Sequence, residues 1–157
     1  MNNNQKKVLK KIVGVLSKNH VKFQISGGLA AIFYGGKRPL YDIDIEVYKK
    51  DIPKIRKVFK KYIIKDFYNF KDKNFNIWLI TLKINNISIN ISPVERCFLG
   101  KVGKKKVLIN ASNLSKTKII YLDGIKIPVI KKKELINYKK ILSRKTDIID
   151  IKQISKK

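Results

Sequence analysis

Acid is what this chain has least of. Only 11 Asp+Glu stand against 37 Lys+Arg in 157 residues, a formal net charge of +26. Cysteine is nearly absent as well, and the single Cys97 excludes an internal disulfide framework and a cysteine zinc site. A lone thiol fits a reducing compartment, and since nothing in its local sequence depresses its pKa it is read as inert packing. No apolar run approaches the roughly 18 residues that a membrane span needs. The start, MNNNQKK, leads into no unbroken apolar signal core. A soluble, cytoplasmic protein with no membrane partner is the expectation. There is also no internal repeat, linker or low-complexity tail beyond lysine clusters.

What is abundant is aliphatic side chain and lysine. Hydrophobic residues make up 44% of the chain. A chain of this length buries roughly 68–70% of its unfolded surface without a disulfide or structural metal. The expectation is one domain over residues 1–157. Of the 37 cations 33 are Lys, and only Arg38, Arg56, Arg96 and Arg144 carry the planar guanidinium that bidentate phosphate or base recognition favours. The chain also holds 27 Ile and 13 Asn, residues that share AT-rich codons with Lys. The charge thus has two readings, a coding bias carried on a solvated surface or a polyanionic partner such as nucleic acid or a nucleoside triphosphate.

Along the chain, Val8, Leu9, Ile12, Val13 and Leu16 repeat at helical spacing. His20 follows as a helix-end residue. Residues 21–25 alternate as a short strand into Ser26-Gly27-Gly28, and Leu29 to Tyr34 reads as a helix closed by Gly35-Gly36. Asp42-Ile43-Asp44-Ile45-Glu46-Val47 alternates strictly, a strand with one apolar face and one carboxylate face. A helix over 52–62 follows, with Asp51 as N-cap and Pro53 in its first turn. Residues 63–75 give no clear pattern. Residues 76–84 and 87–91 read as strands about Asn85-Asn86, ended by Pro93, with shorter strands at 107–110, 119–122 and 125–129, the last two joined by Asp123-Gly124. Two C-terminal helices occupy about 131–155, the last carrying Ile148, Ile149, Ile151 and Ile154. Trp78 reads as sheet packing.

Three of the eleven carboxylates, Asp42, Asp44 and Glu46, fall on one face of one strand, where like charges repel and Asp is a poor strand former. A divalent cation offsets that: Mg²⁺ takes hard oxygen ligands from one or two carboxylates and completes its shell with water and phosphate. Pairing with neighbouring Lys is the bland alternative. Ser26-Gly27-Gly28 at a strand end before a helix lets backbone N–H groups approach a phosphate closely, though plain turn geometry uses the same residues.

Together these elements carry a resemblance. Gly27-Gly28, thirteen residues, then Asp42-Ile43-Asp44, with Gly36-Lys37-Arg38 before the acidic strand, is similar to the signature of the nucleotidyltransferase superfamily with the DNA polymerase beta fold. The branch resembled holds small stand-alone nucleotidyltransferases and lincosamide and aminoglycoside adenylyltransferases. Residues 127–130, Glu134-Leu135, Tyr138-Lys139, Arg144 and Asp147 to Asp150 resemble its closing strand and helices. The resemblance implies an α/β (α+β) fold, a small mixed, largely antiparallel sheet flanked by helices. It implies transfer of a nucleoside monophosphate from a triphosphate, ATP first among donors, to an unidentified hydroxyl acceptor. Asp42 and Asp44 would bind two Mg²⁺ ions, Ser26, Gly27 and Gly28 the triphosphate, and Arg38, Lys139 and Arg144 phosphate oxygens. For Lys139 a solvated side chain is the competing reading, and for Arg38 a loop anchor. Asp147 and Asp150 read as a charge effect or a pairing with Arg144 or Lys145.

The chain departs from the pattern at the third acidic position, where Ser88-Ile89-Asn90-Ile91 places Asn90. A neutral amide cannot accept a proton as a general base. Glu46 supplying the missing charge, slow transfer sustained by metal and positioning, and nucleotide binding without turnover all follow as readings. The last makes the chain a catalytically degenerate or antitoxin-like protein with a protein partner. A basic nucleic-acid-binding module is the third class of reading.

Overall fold

Strict alternation at residues 42–47 is realised as a six-residue strand whose aliphatic members are fully buried and whose acids are partly exposed. The computed structural model describes residues 1–156. In chain order the elements are α1 (Asn3–Lys18), β1 (Phe23–Ile25), α2 (Gly27–Phe33), β2 (Asp42–Val47), α3 (Ile52–Val58), β3 (Ile63–Lys71) and β4 (Phe75–Ile84). There follow β5 (Ile87–Pro93), β6 (Phe98–Leu99), β7 (Val107–Leu108), β8 (Lys118–Leu122), β9 (Ile125–Val129), α4 (Lys132–Leu142) and α5 (Lys145–Ile154). One sheet runs through the molecule in the order β7-β6-β4-β5-β2-β1-β9-β8, with β3 also paired to β4. It is mixed and largely antiparallel: β2–β5 and β1–β9 are its parallel pairs. Nine strands take part in it.

The core lies against one face of β2. Ile43, Ile45 and Val47 meet Val8, Leu9, Ile12 and Leu16 of α1 and Ile55 of α3. Each fully buried Leu or Ile contributes about 1.5–3 kcal/mol. α1 starts in a capping box, Asn2 Oδ1 accepting from Gln5 N at 2.9 Å and Gln5 Oε1 from Asn2 N at 2.8 Å. It ends at Lys18 with Asn19 as C-cap, and His20 beyond it is left-handed at φ +54, with Val21 N bonded back to Leu16 O at 3.0 Å. α4 packs on α5, and both touch α2, leaving the acidic face of β2 turned toward a cleft rather than toward the core.

Several expectations change here. Residues 63–71 form β3, unread in the sequence because it lies at the sheet's edge, mostly exposed, with breaks in register between Ile63 and Lys65 and between Lys65 and Tyr68. β6, two residues long, was also without a sequence signal. Asp51 does not cap α3 with its side chain, because its own backbone is already helical, closing a 3₁₀ turn at Lys49–Asp51. The alternation at 23–25 gives no wet face, since Gln24 is buried and donates to Glu46. The sharpest correction is at α5, where Ile148 and Ile149 are exposed and Asp147 and Asp150 are buried. Both hairpin turns are as read, with Asn85-Asn86 and Asp123-Gly124 all at positive φ. Trp78 sits half-exposed on the outer side of β4 against Phe67, ring centroids 5.2 Å apart.

Candidate active site

The parallel pairing of β2 with β5 sets Asp42 opposite Ser88, Asp44 opposite Asn90 and Glu46 opposite Ser92. Alternation then puts Asp42, Asp44 and Asn90 on one face. The Asn90 amide bridges the carboxylates, Nδ2 lying 3.2 Å from Asp42 Oδ2 and 3.3 Å from Asp44 Oδ1. Its Oδ1 accepts from Thr81 Oγ1 at 3.2 Å, and that hydroxyl lies 3.1 Å from the Tyr68 hydroxyl. Sequence reasoning missed Thr81 and Tyr68. For Thr81 a signal existed, since counting outward from the two-residue Asn85-Asn86 turn pairs Thr81 with Asn90.

Burial first and the charge of Asp42 second raise the carboxyl of Asp44 to about 7, against the hydrogen bond from Asn90, which works to lower it. Burial also raises Asp42 and Glu46. Glu46 accepts from Gln24 Nε2 at 2.6 Å. Beside the acids, Ser26 N donates to Asp44 O at 3.0 Å, and Gly27 turns at φ +61 so closely over the strand that a Cβ there would land on Asp44 Oδ2. The glycine turn and the acidic strand are therefore one packed unit, with Ser26 at the start of α2 and its side chain making no capping bond.

Two crowded carboxylates with no ion pair to a cationic side chain among the described residues, bridged by an amide, form a hard-oxygen donor set. No cluster of three or more His, Cys, Asp or Glu suited to a metal occurs among the described residues. The residues fit Mg²⁺ bound by one or two carboxylates with substrate phosphate completing its shell, the way this ion is commonly held.

The basic residues expected to meet phosphate are differently engaged. Arg38 forks onto Asp150 at 2.7 and 2.8 Å, which anchors the loop after α2 onto α5. Lys139 is not solvated: it is 1% exposed, with Nζ 3.3 Å from Asp147 and 2.8 Å from Asp150. Arg144 pairs with Asp147 at 2.7 Å and lies 5.1 Å above the Phe75 ring. Asp147 and Asp150 are thus buried partners of three basic groups, Arg38, Lys139 and Arg144, rather than a helix-end charge effect. All three cations border the same cavity of about 1020 Å³, along with Ser26, Gly28, Asp42, Asp44 and Asn90.

Cys97 also borders it, with its thiol raised to about 12, chiefly by burial. Alkylation by iodoacetamide at pH 8 should run at least about a hundredfold slower than for free cysteine, because the thiolate is the nucleophile. Fast labelling of the folded protein would show the thiol to be open and activated.

No protein-family profile matches the sequence, and no curated protein matches it. Solved structures do. A candidate nucleotidyltransferase from Thermotoga maritima superposes with TM-score 0.71 at 20% identity over 87% of this chain and 84% of that one. A lincosamide antibiotic adenylyltransferase with lincomycin bound gives TM-score 0.63 at 19% identity over 98% of each chain. ANT(2″)-Ia in complex with adenylyl-2″-tobramycin gives 0.62 at 12% identity over 97% of this chain and 88% of that one. No helix among the described residues is long and apolar enough to cross a membrane. With its glycine turn packed on an acidic strand in a mixed sheet, the chain has the nucleotidyltransferase fold, in the form shared by structures of lincosamide and aminoglycoside adenylyltransferases.

Proposed function

We propose that the protein is a Mg²⁺-dependent nucleotidyltransferase, moving a nucleoside monophosphate from a triphosphate, ATP first, to a hydroxyl acceptor in a reducing, cytoplasmic setting. The observation that carries the reading is the convergence of Asp42, Asp44 and Asn90 with the Gly27 turn on one wall of a large cavity. Asp42 and Asp44 are the residues that would hold two Mg²⁺ ions, whose chemistry there is to neutralise charge on the attacking and leaving oxygens. The Ser26-Gly27-Gly28 backbone cradles the triphosphate, and Arg144 borders the same cavity as a fixed positive charge. The acceptor oxygen attacks the α-phosphorus, the bond to the β-phosphate oxygen breaks, and pyrophosphate leaves.

Asn90 has two consequences. Its amide holds both carboxylates in register, and it takes no proton. Metal and positioning sustain the transfer, which is slow. Thermal unfolding with Mg²⁺ and each NTP tests the reading. A triphosphate at a hundred times its Kd stabilises by about 2.7 kcal/mol, raising Tm by roughly 5–10 °C. The shift should vanish in Asp42→Asn/Asp44→Asn, and a wild type that no nucleotide stabilises would sink the proposal. Asn90→Asp should speed transfer by about tenfold or more, since it restores a carboxylate beside the pair. No gain would remove position 90 from the chemistry.

A further inference from the structure

Outward from Asn90 the same face of the sheet becomes an aromatic shelf. Thr81 pairs with Asn90, so Leu79, Ile77 and Phe75 follow at alternate positions of β4 on that face. On β3, Tyr68 pairs with Leu79 and Phe70 with Ile77. Tyr68, Phe70, Phe75, Ile77 and Leu79 all border the cavity of about 1020 Å³, which lies at the top of the range of roughly 300–1,000 Å³ for small-molecule sites. Phe70 remains 36% exposed at the shelf's outer end.

That outer end is rimmed with lysine. The β3–β4 turn carries Lys73, and the β6–β7 loop carries Lys101, Lys104, Lys105 and Lys106. The two loops are tied together, Gly100 N donating to Asn74 O at 2.9 Å and Asn74 Nδ2 to Gly100 O at 2.9 Å, with Asn74 buried. No ion pair among the described residues engages any of these five lysines. The one carboxylate in the β3–β4 turn, Asp72, accepts from Asn74 N and Phe75 N through its Oδ1.

We propose that the acceptor is the 3′ end of a single-stranded nucleic acid, its bases on the Tyr68, Phe70 and Phe75 shelf and its phosphates on the lysine rim. Aromatic platforms beside a basic groove bind single strands because every base has a stacking face and every phosphate a charge. A polycationic acceptor would be repelled by the rim, and a neutral small acceptor would leave its five cations without a counterpart. The inference rests on the transfer reading above. The terminal 3′-hydroxyl oxygen forms the new bond to the α-phosphorus, the bond from that phosphorus to the β-phosphate oxygen breaks, pyrophosphate departs and the hydroxyl proton passes to water.

The test uses the full chain and dye-labelled 12-nucleotide single strands of RNA and DNA, read by fluorescence anisotropy. Lys101→Gln/Lys104→Gln/Lys105→Gln/Lys106→Gln should weaken binding at least tenfold. Lys7→Gln/Lys18→Gln/Lys57→Gln/Lys60→Gln removes the same charge from exposed positions on α1, on α3 and just after α3, and should weaken it less than threefold. Phe75→Leu should weaken single strands more than a duplex of the same length. With Mg²⁺ and α-labelled NTP, an open 3′-hydroxyl should gain label and a 3′-blocked strand none. Equal loss in the two quadruple variants would overturn the proposal, as would absence of strand binding or label found only on small-molecule hydroxyls. If strands bind at the rim but no NTP stabilises the protein, the transfer reading fails and the strand site stands. If NTP stabilises it and no strand binds, the acceptor proposal fails alone.

Discussion

Lys139→Met is expected to cost the fold about 3–5 kcal/mol, the usual penalty for breaking a buried charge network from one side. Folded domains have only about 5–15 kcal/mol in hand, so Tm should fall by roughly 10 °C. The reason lies in what surrounds the ammonium. It is shared between Asp147 and Asp150, themselves 0% and 1% exposed, while Arg144 and Arg38 complete the two carboxylates from the other side. Removing Lys139 leaves each carboxylate short of a partner inside the protein. Urea and thermal unfolding of the free protein read this directly. A lysine whose task was to hold triphosphate would instead leave the free protein's Tm unchanged and abolish only the nucleotide-dependent shift, and that result would return Lys139 to the ligand.

The same network sets an acid limit. Burial works to raise the carboxyl of Asp150, but the hydrogen bonds from Arg38 and Lys139 outweigh it and hold the group below its ordinary value of 3.8. A carboxylate held low stabilises the native state at pH above its unfolded pKa, and that contribution is lost as pH falls through the folded value. Stability should therefore fall below about pH 4, with a shallower fall in Asp150→Asn.

Gly27→Ala is expected to reduce transfer by at least about a hundredfold, because a displacement of even 1 Å at a reacting centre costs that much. Two effects combine at this position. The backbone is left-handed at φ +61, and an added Cβ meets the Asp44 carboxylate, with the Asp44 Cβ behind it. The strain alone costs about 1–2 kcal/mol, so the variant should still fold. Gly28→Ala is the comparison, since its Cβ would meet only ordinary contacts at 3.9 Å to Arg38 and Leu40, and it should keep the wild-type Tm. Full transfer activity in Gly27→Ala would mean that the turn and Asp44 are not the packed unit that positions the phosphates.

What could be read in advance was local. The apolar stripe of α1, the two hairpin turns and the alternation of β2 depend on neighbours in the chain, and each stands in the fold. The acid pair and the glycine turn were legible as a pattern because their chemistry is unusual in a chain with so few carboxylates. β3 was not, because a mostly exposed edge strand carries no period, and β6 was not, because two residues between its neighbours are too few to show one. The apolar residues of α5 misled for a related reason. Ile148 and Ile149 look like a core stripe until the buried partners of Asp147 and Asp150 are known.

The amino-acid sequence by itself determined which segments alternate with period two or period 3.6, where the chain turns, and that carboxylate would be concentrated at one strand. Those properties follow from side-chain spacing and backbone sterics over a few residues. Only the tertiary structure decided that Asn90 bridges Asp42 and Asp44, that Gly27 sits on Asp44, and that Lys139 serves two buried aspartates rather than solvent. Each of those contacts joins residues on different elements, brought together by strand register and helix packing, and the cost of burying a charge is settled by partners that lie far away along the chain.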